Sequence, residues 1–259
     1  MKVINSGRLR KVKQGLSHRL EKYRAIKKQR GMTLLEIIIV LGIIGVIAAG
    51  VVILAQRAFD TKAMTDLSDN ANTIRTAMKS AYGATGRYPA VDVTNTLTIT
   101  PTNYSVSPNN GTATSKLMML GKLSVNEAKN GISGNYILTG SAQIGTTTAP
   151  PDGTGPAYFV MLNGLDQTQC RNLLNQMGNT WDYVQVVDDS PAGTYNPGVV
   201  QIDATLNGAA LATNPGDPDT ISAPTGIYRT TLSPLTFTPD NVIAACSNNS
   251  NNALILGSR

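Results

Sequence analysis

The sequence predicts an α+β protein in which a long N-terminal helix packs on one face of a mainly antiparallel β-sheet. One continuous helical pattern covers residues 32–84. Five short β-prone runs follow it and are separated by turn residues, which is typical of an antiparallel sheet. Two cysteines lie beyond the helix and are the next strongest constraint on the fold. These three observations predict a helical spine on a sheet.

The first half of the helical pattern, 32–55, is apolar on all sides. Its 24 residues contain one charged residue, Glu36. At about 1.5 Å per residue the run is roughly 36 Å long, enough to cross a hydrocarbon core of about 30 Å. A carboxylate in such a span costs on the order of 2.5–3.5 kcal/mol on insertion scales, so Glu36 requires a functional explanation.

Residues 1–31 form a basic leader. They hold eleven Lys and Arg and one acid, so their net charge is +10 within a chain of +6, and the other 228 residues carry −4. The positive-inside rule therefore predicts a cytoplasmic leader and an exported body. Basic residues in the body form no cluster with interleaved aromatics, which argues against a nucleic-acid partner.

The second half of the helix, 56–84, is amphipathic. Its apolar residues recur every three or four positions and predict a stripe that packs on a soluble domain. The stripe, with Ala55 before it, is Ala55, Phe59, Ala63, Leu67, Ala71, Ile74, Met78 and Ala81. Gly83, Gly86 and Pro89 predict the end of the helix.

The remaining residues, 85–259, are expected to form a globular head. Residues 85–155 are rich in turn residues and contain one short predicted helix, 116–129. Asp166 is a predicted N-cap for a second short helix, 167–177, which Gly178 ends. The predicted strands are Tyr136–Leu138, Ala157–Leu162, Tyr183–Val187, Val199–Ile202 and Ala253–Leu256.

Enzymatic activity is not expected. The only histidine, His18, lies in the leader, so the body has no histidine general base and no Ser-His-Asp or Cys-His arrangement. No phosphate-binding loop or metalloprotease motif is present. The acidic pairs 188–189 and 217–219 are typical of solvated turns. The sequence therefore predicts no catalytic residues, no cofactor and no metal site.

The two cysteines, Cys170 and Cys246, lie in the part of the chain predicted to be exported, where thiols oxidise. A bridge between them would close a loop of about 76 residues, which the chain-entropy model values at roughly 4–4.5 kcal/mol. The alternative is two free buried thiols. Two sulfurs without histidine are too few for a zinc site.

The residues around Gly31 carry a family resemblance. The run Gly31-Met32-Thr33-Leu34-Leu35-Glu36, followed by Ile37–Gly45, resembles the processing site of type IV prepilins. The long leader and the Met that follows Gly31 resemble the type IVb branch, which includes the toxin-coregulated, longus and colonisation-factor pilins. The resemblance implies that a prepilin peptidase cleaves between Gly31 and Met32, that Met32 is N-methylated, and that Glu36 is the fifth mature residue.

The resemblance extends to residues 50–60, 120–130, 164–170 and the C-terminal tail 254–259. It implies a type IV pilin fold with a removed leader at 1–31, a membrane and filament segment at 32–55, an αβ-loop at 85–155, and a sheet with a D-region at 156–259. In that fold a bridge between Cys170 and Cys246 bounds the D-region. Residues 190–240 show little resemblance and are expected to form exposed loops.

The function implied is that of a major pilus subunit without enzymatic activity. It would polymerise with itself into an extracellular filament for adhesion, aggregation and colonisation. Its partners would be the prepilin peptidase, the inner-membrane assembly platform and a minor pilin, with the precursor in the inner membrane. Glu36 would face the Met32 amine of an adjoining subunit and set the register; the alternative is a carboxylate that only sits at the membrane interface.

Three other functions would share parts of this sequence. A minor pilin would have the same N-terminus but initiate or tip the filament. A type II secretion pseudopilin would drive a periplasmic piston, although the Met32 start and the long leader argue against it. A signal-anchored binding domain would retain residues 1–31.

Overall fold

The computed structural model describes residues 32–145, 153–206, 226–234 and 236–259. The chain divides into two compact units, Met1–Ala58 and Phe59–Arg259. The basic leader, including Gly31, and residues 207–225 and 235 of the segment 190–240 lie outside the described residues.

Helix α1 runs from Leu34 to Tyr82, 49 residues, and confirms the long N-terminal helix. Within the second unit it buries a stripe at spacings of three and four, as predicted. The buried residues are Leu67, Ala71, Ile74, Ala77 and Met78. Phe59 was expected on this stripe but is 71% exposed. The packed part of the stripe therefore begins about two turns later than the pattern predicted.

Among the described residues, four shorter α-helices follow: α2 (Val93–Leu97), α3 (Ala113–Met119), α4 (Gln167–Met177) and α5 (Pro239–Ala245), with a 3-10 turn at Asn109–Gly111. Helix α4 has the predicted bounds. Asp166 caps it through a full capping box, because its carboxylate accepts from the Gln169 backbone N–H at 2.8 Å and its own N–H donates to the Gln169 side chain at 3.0 Å.

The predicted helix 116–129 is wrong in its bounds. Helix α3 ends at Met119, and Gly121 follows with a φ of 65°, which terminates the helical path. Ser124 and Glu127 then exchange side-chain-to-backbone hydrogen bonds at 2.8 and 3.2 Å, yet only one turn forms. The hydrogen bonds from Ser124 lower the pKa of Glu127.

In the part of the chain that the structure describes, the sheet has five strands in the order β1-β2-β5-β3-β4, and every neighbouring pair is antiparallel. The C-terminal strand β5 lies at its centre. Because each strand buries successive residues on opposite faces, the sheet is covered on both sides. The bounds are β1 Leu138–Ala142, β2 Ala157–Leu165, β3 Tyr183–Val187, β4 Gly226–Arg229 and β5 Asn252–Ser258.

One face of the sheet packs with α1 and α4. On β2, Tyr158, Val160 and Leu162 belong to this core. The other face carries Phe159 and Met161 in a second core. That second core is completed by α2 residues and by the segment 195–202, so the head has three layers where two were expected.

The segment Val199–Ile202 is not a strand. Its only ladder contact in the described chain is an isolated parallel bridge from Gln201 to Gln143. The Val200 carbonyl accepts from Gln143 at 2.8 Å, beside β1, and the Ile202 carbonyl accepts from Thr231 at 2.9 Å, beside β4. The segment thus contacts the chain beside both edge strands, β1 and β4. Strand β4, by contrast, was not predicted.

Candidate assembly site

The first turn of α1 is capped by Thr33. The Glu36 backbone N–H donates to Thr33 Oγ1 at 3.2 Å, and the Ile37 N–H donates to the Thr33 carbonyl at 3.2 Å. Thr followed three residues later by Glu is the capping-box spacing. The Glu36 carboxylate therefore lies in the first turn, where the helix dipole favours a negative charge. Sequence reasoning missed Thr33, although this spacing could have revealed it.

The other residues of the predicted processing site lie beside this cap. Met32 immediately precedes the capping residue, is outside the helix and is 65% exposed. Glu36 follows it by four residues. Gly31, the predicted residue before the cleaved bond, lies outside the described residues.

Among the residues that the structure describes, the apolar half of α1 packs into no core. It is long and apolar enough to span a membrane, and none of its most apolar window is buried. Helices buried in a soluble core do not have this property, because their apolar side chains contact their own domain. The exposed run therefore requires an apolar environment from outside the chain, either lipid or other apolar helices.

Small residues interrupt this exposed surface. A Cβ built on Gly42, Gly45 or Gly50 would have no heavy atom within 4 Å. No described residue of the chain thus requires a glycine at these positions. Small residues permit close approach of a second helix, and they are also common in membrane helices.

In the head, Cys170 and Cys246 form a disulfide across 76 residues, with a Cα–Cα distance of 6.1 Å. Both cysteines are buried. The bridge confirms the predicted pairing, and the alternative of two free thiols is wrong. It joins the middle of α4 to the residue that ends α5.

Arg75 ties α1 to the chain that follows α4. Its guanidinium lies 4.8 Å from the ring centroid of the fully buried Trp181, and Nη1 donates to the Thr180 carbonyl at 2.9 Å. Tyr158 on β2 donates to the Arg75 carbonyl at 3.3 Å, and burial raises the pKa of that tyrosine. Sequence reasoning missed this junction, because no local pattern links residues that lie so far apart in the chain.

No group of three or more His, Cys, Asp or Glu side chains that could hold a metal ion occurs among the described residues. What the first unit offers is association, through a capped helix with one carboxylate and an exposed apolar surface.

Comparison with known proteins agrees with this arrangement. The profile of the prokaryotic N-terminal methylation motif matches residues 26–52. Toxin coregulated pilin of Vibrio cholerae serotype O1 is 36% identical over 171 residues, which cover 66% of this chain and 67% of the relative. The chain belongs to the type IVb pilins. A second toxin coregulated pilin from Vibrio cholerae is 37% identical over 61% of this chain and 62% of its own length.

A solved structure supports the fold. The crystal structure of TcpA, a type IV pilin from Vibrio cholerae El Tor biotype, superposes with a TM-score of 0.52 at 19% identity. The match covers 76% of this pilin and 99% of that chain. Pilins are structural subunits and not enzymes, as the sequence predicted. The methylation motif implies processing by a prepilin peptidase, and the motif with its apolar helix fits membrane anchoring followed by incorporation into a pilus.

Proposed function

We propose that this chain is the precursor of the major subunit of a type IVb pilus that serves adhesion, aggregation and colonisation. A prepilin peptidase cleaves between Gly31 and Met32, and the new Met32 amine is methylated. The inner membrane holds the subunit until an assembly platform and a minor pilin direct it into the extracellular filament. The observation that carries this proposal is the apolar half of α1, whose large apolar side chains are exposed in the single chain.

Glu36 sets the register of the filament in this proposal. After cleavage the Met32 amine is cationic at neutral pH, because an α-amine has a pKa of about 7.7–8. The Glu36 carboxylate of one subunit pairs with that amine in an adjoining subunit, so that two charges neutralise each other in an apolar bundle. A single polar pair fixes the register of helices that would otherwise slide. Gly42, Gly45 and Gly50 let the helices approach closely.

The first experiment measures the intact mass and N-terminal sequence of the protein in a fraction sheared from the cell surface. We expect an abundant chain that begins at methylated Met32. A Met32 start found only in the membrane, or in traces on filaments, would instead indicate a minor pilin or a pseudopilin. A chain that retains residues 1–31 would contradict the whole proposal.

The role of Glu36 is tested by Glu36→Ala. Loss of one partner from a buried ion pair costs about 3–5 kcal/mol, so we expect assembly to fall by two orders of magnitude or more while cleavage continues. The measurement is the ratio of surface filament to membrane-bound mature subunit.

Asp60→Ala is the matched control, because it removes an exposed carboxylate from the same helix beyond the apolar run. If Glu36→Ala is cleaved normally and assembles filaments as well as Asp60→Ala does, the register role is excluded. Co-expression with the unaltered chain adds a second readout. The variant keeps its own Met32 amine but lacks the Glu36 carboxylate, so it can form only one of the two pairs. We therefore expect it to enter mixed filaments sparsely.

A further inference from the structure

The disulfide is not the only link between α4 and α5. Gln167 Nε2 donates to the Cys246 carbonyl at 3.1 Å, and Arg171 Nη2 donates to the Ile243 carbonyl at 2.8 Å. Gln167 and Arg171 are four residues apart and therefore lie on the same face of α4. Cys170 lies between them in sequence. The two polar side chains thus bind the last turn and the C-cap of α5, beside the cysteine that bonds to Cys170.

These contacts satisfy groups that α5 cannot satisfy itself. The last carbonyls of a helix have no partner within the helix, and a cation near them is favourable. Helix α5 has seven residues, far below the length at which isolated helices are stable in water. Its helical form therefore depends on docking to α4, its principal neighbour. We call Gln167 and Arg171 the docking clamp.

Asn252 fixes the chain immediately after Cys246. Its side chain accepts from the Ser247 N–H at 2.9 Å and donates to the carbonyls of Ser247 and Asn249, both at 3.1 Å. Asn252 is fully buried at the start of β5. The central strand of the sheet therefore holds one side of Cys246, and the docking clamp holds the other.

The two cysteines differ in the stability of the helices that carry them. Cys170 lies within the 11-residue helix α4, which has a full capping box and packs against β2 and β5. Cys246 is the C-cap of the short α5. Undocking of α5 would expose Cys246 and leave Cys170 in a stable helix. Local opening of this kind involves elements with few contacts of their own.

We infer that the docking clamp orders the oxidation of this pair, with Cys246 reacting first and Cys170 second. The Cys246 thiolate attacks an external disulfide, forms a mixed disulfide and releases one external thiolate. Docking of α5 then brings the mixed disulfide to Cys170, whose thiolate attacks Cys246 Sγ and releases the second external thiolate. The two thiols lose two electrons and two protons, and the external disulfide takes up both electrons. Gln167 and Arg171 are positioning residues for the second step.

The test uses the full-length reduced protein in detergent, with oxidised glutathione as the external disulfide. Acid-quenched samples are analysed by mass for the glutathione adduct. We expect Cys246 in Cys170→Ser to form the adduct at least about tenfold faster than Cys170 in Cys246→Ser, since only Cys246 becomes accessible by local opening. In denaturant the two rates should be equal. Equal rates under native conditions would overturn the order.

The docking clamp is tested in the chain with both cysteines. The double variant Gln167→Ala/Arg171→Ala should accumulate the mixed disulfide and close the bridge about tenfold more slowly. The hydrogen bond from the charged Arg171 favours the docked form by about that factor. Gln176→Ala, an exposed amide on α4, should close at the unaltered rate. Closure by the double variant at the unaltered rate would refute the role of the docking clamp. The comparison of the single-cysteine variants is independent of whether the double variant folds.

Discussion

The two halves of α1 have the same secondary structure but differ in whether their own chain buries their apolar side chains. Leu41 in the first half is 62% exposed, whereas Leu67 in the second half is fully buried. The first half has apolar residues on every side and one carboxylate; the second has an apolar stripe and charged residues around it. Composition around the helix, and not helix propensity, thus separates a segment that needs outside partners from one that belongs to its own domain.

This difference predicts where a stability measurement will detect a substitution. The second half contributes to the folding of the head. The first half contributes only when lipid or another subunit covers it. Substitutions of the same kind in the two halves should therefore have separate readouts, one in unfolding and the other in assembly.

The largest expected effect comes from Leu67→Ala. Removing a fully buried leucine side chain costs about 2–5 kcal/mol, because apolar contacts are lost and a cavity remains. Leu41→Ala, the same change in the first half, should leave the free energy of unfolding of the head unchanged. Chemical denaturation of both variants in detergent measures this. A similar loss from both would mean that the two halves do not differ as the burial indicates.

A smaller effect is expected from Arg75→Ala. The variant loses a hydrogen bond to the Thr180 carbonyl and the stacking on Trp181. Charged hydrogen bonds and cation–π contacts predict a cost of about 1–3 kcal/mol. Lys79→Ala removes the same charge from an exposed position one turn later and should cost little. Equal unfolding midpoints for the two variants would show that the junction contributes no stability.

The smallest effect is expected from Lys62→Ala. Lys62 and Asp66 form an ion pair at 2.6 Å, but their side chains are 69% and 53% exposed. Exposed pairs four residues apart contribute about 0.3–0.5 kcal/mol, and salt screens them. A double-mutant cycle with Asp66→Ala at low and high salt measures the coupling. A coupling above about 1 kcal/mol would mean that this surface is less solvated than its exposure indicates.

The parts of the fold that could be predicted are those set by local patterns. The bounds of α4 follow from Asp166 and Gly178, and the stripe on α1 follows from its spacing. The Cys170–Cys246 bridge follows from the number of cysteines and the predicted compartment. In each case a single short segment, or the number of cysteines, is enough for the prediction.

The parts that could not be predicted depend on tertiary contacts. Strand β4 has four residues, begins with glycine and, among the described residues, pairs with β3 alone, so its pattern is too short to be distinctive. The run that contains Val200 and Ile202 has the apolar pattern of a buried strand. In the structure these two residues are buried against a face of the sheet and form no further strand. Exposure of Phe59, likewise, reflects where the head begins rather than the helical period.

The loops that engage the sheet edges also limit how copies of this protein can aggregate. Beside β1, the N–H groups of Ile137, Ser141 and Gln143 donate to loop carbonyls, and beyond β4 that of Thr231 does the same. An open edge would offer a template for strands of other chains, whereas short or covered edges do not. Covered edges therefore restrict strand-to-strand association between copies at high concentration, and with it the route to an amyloid-like deposit.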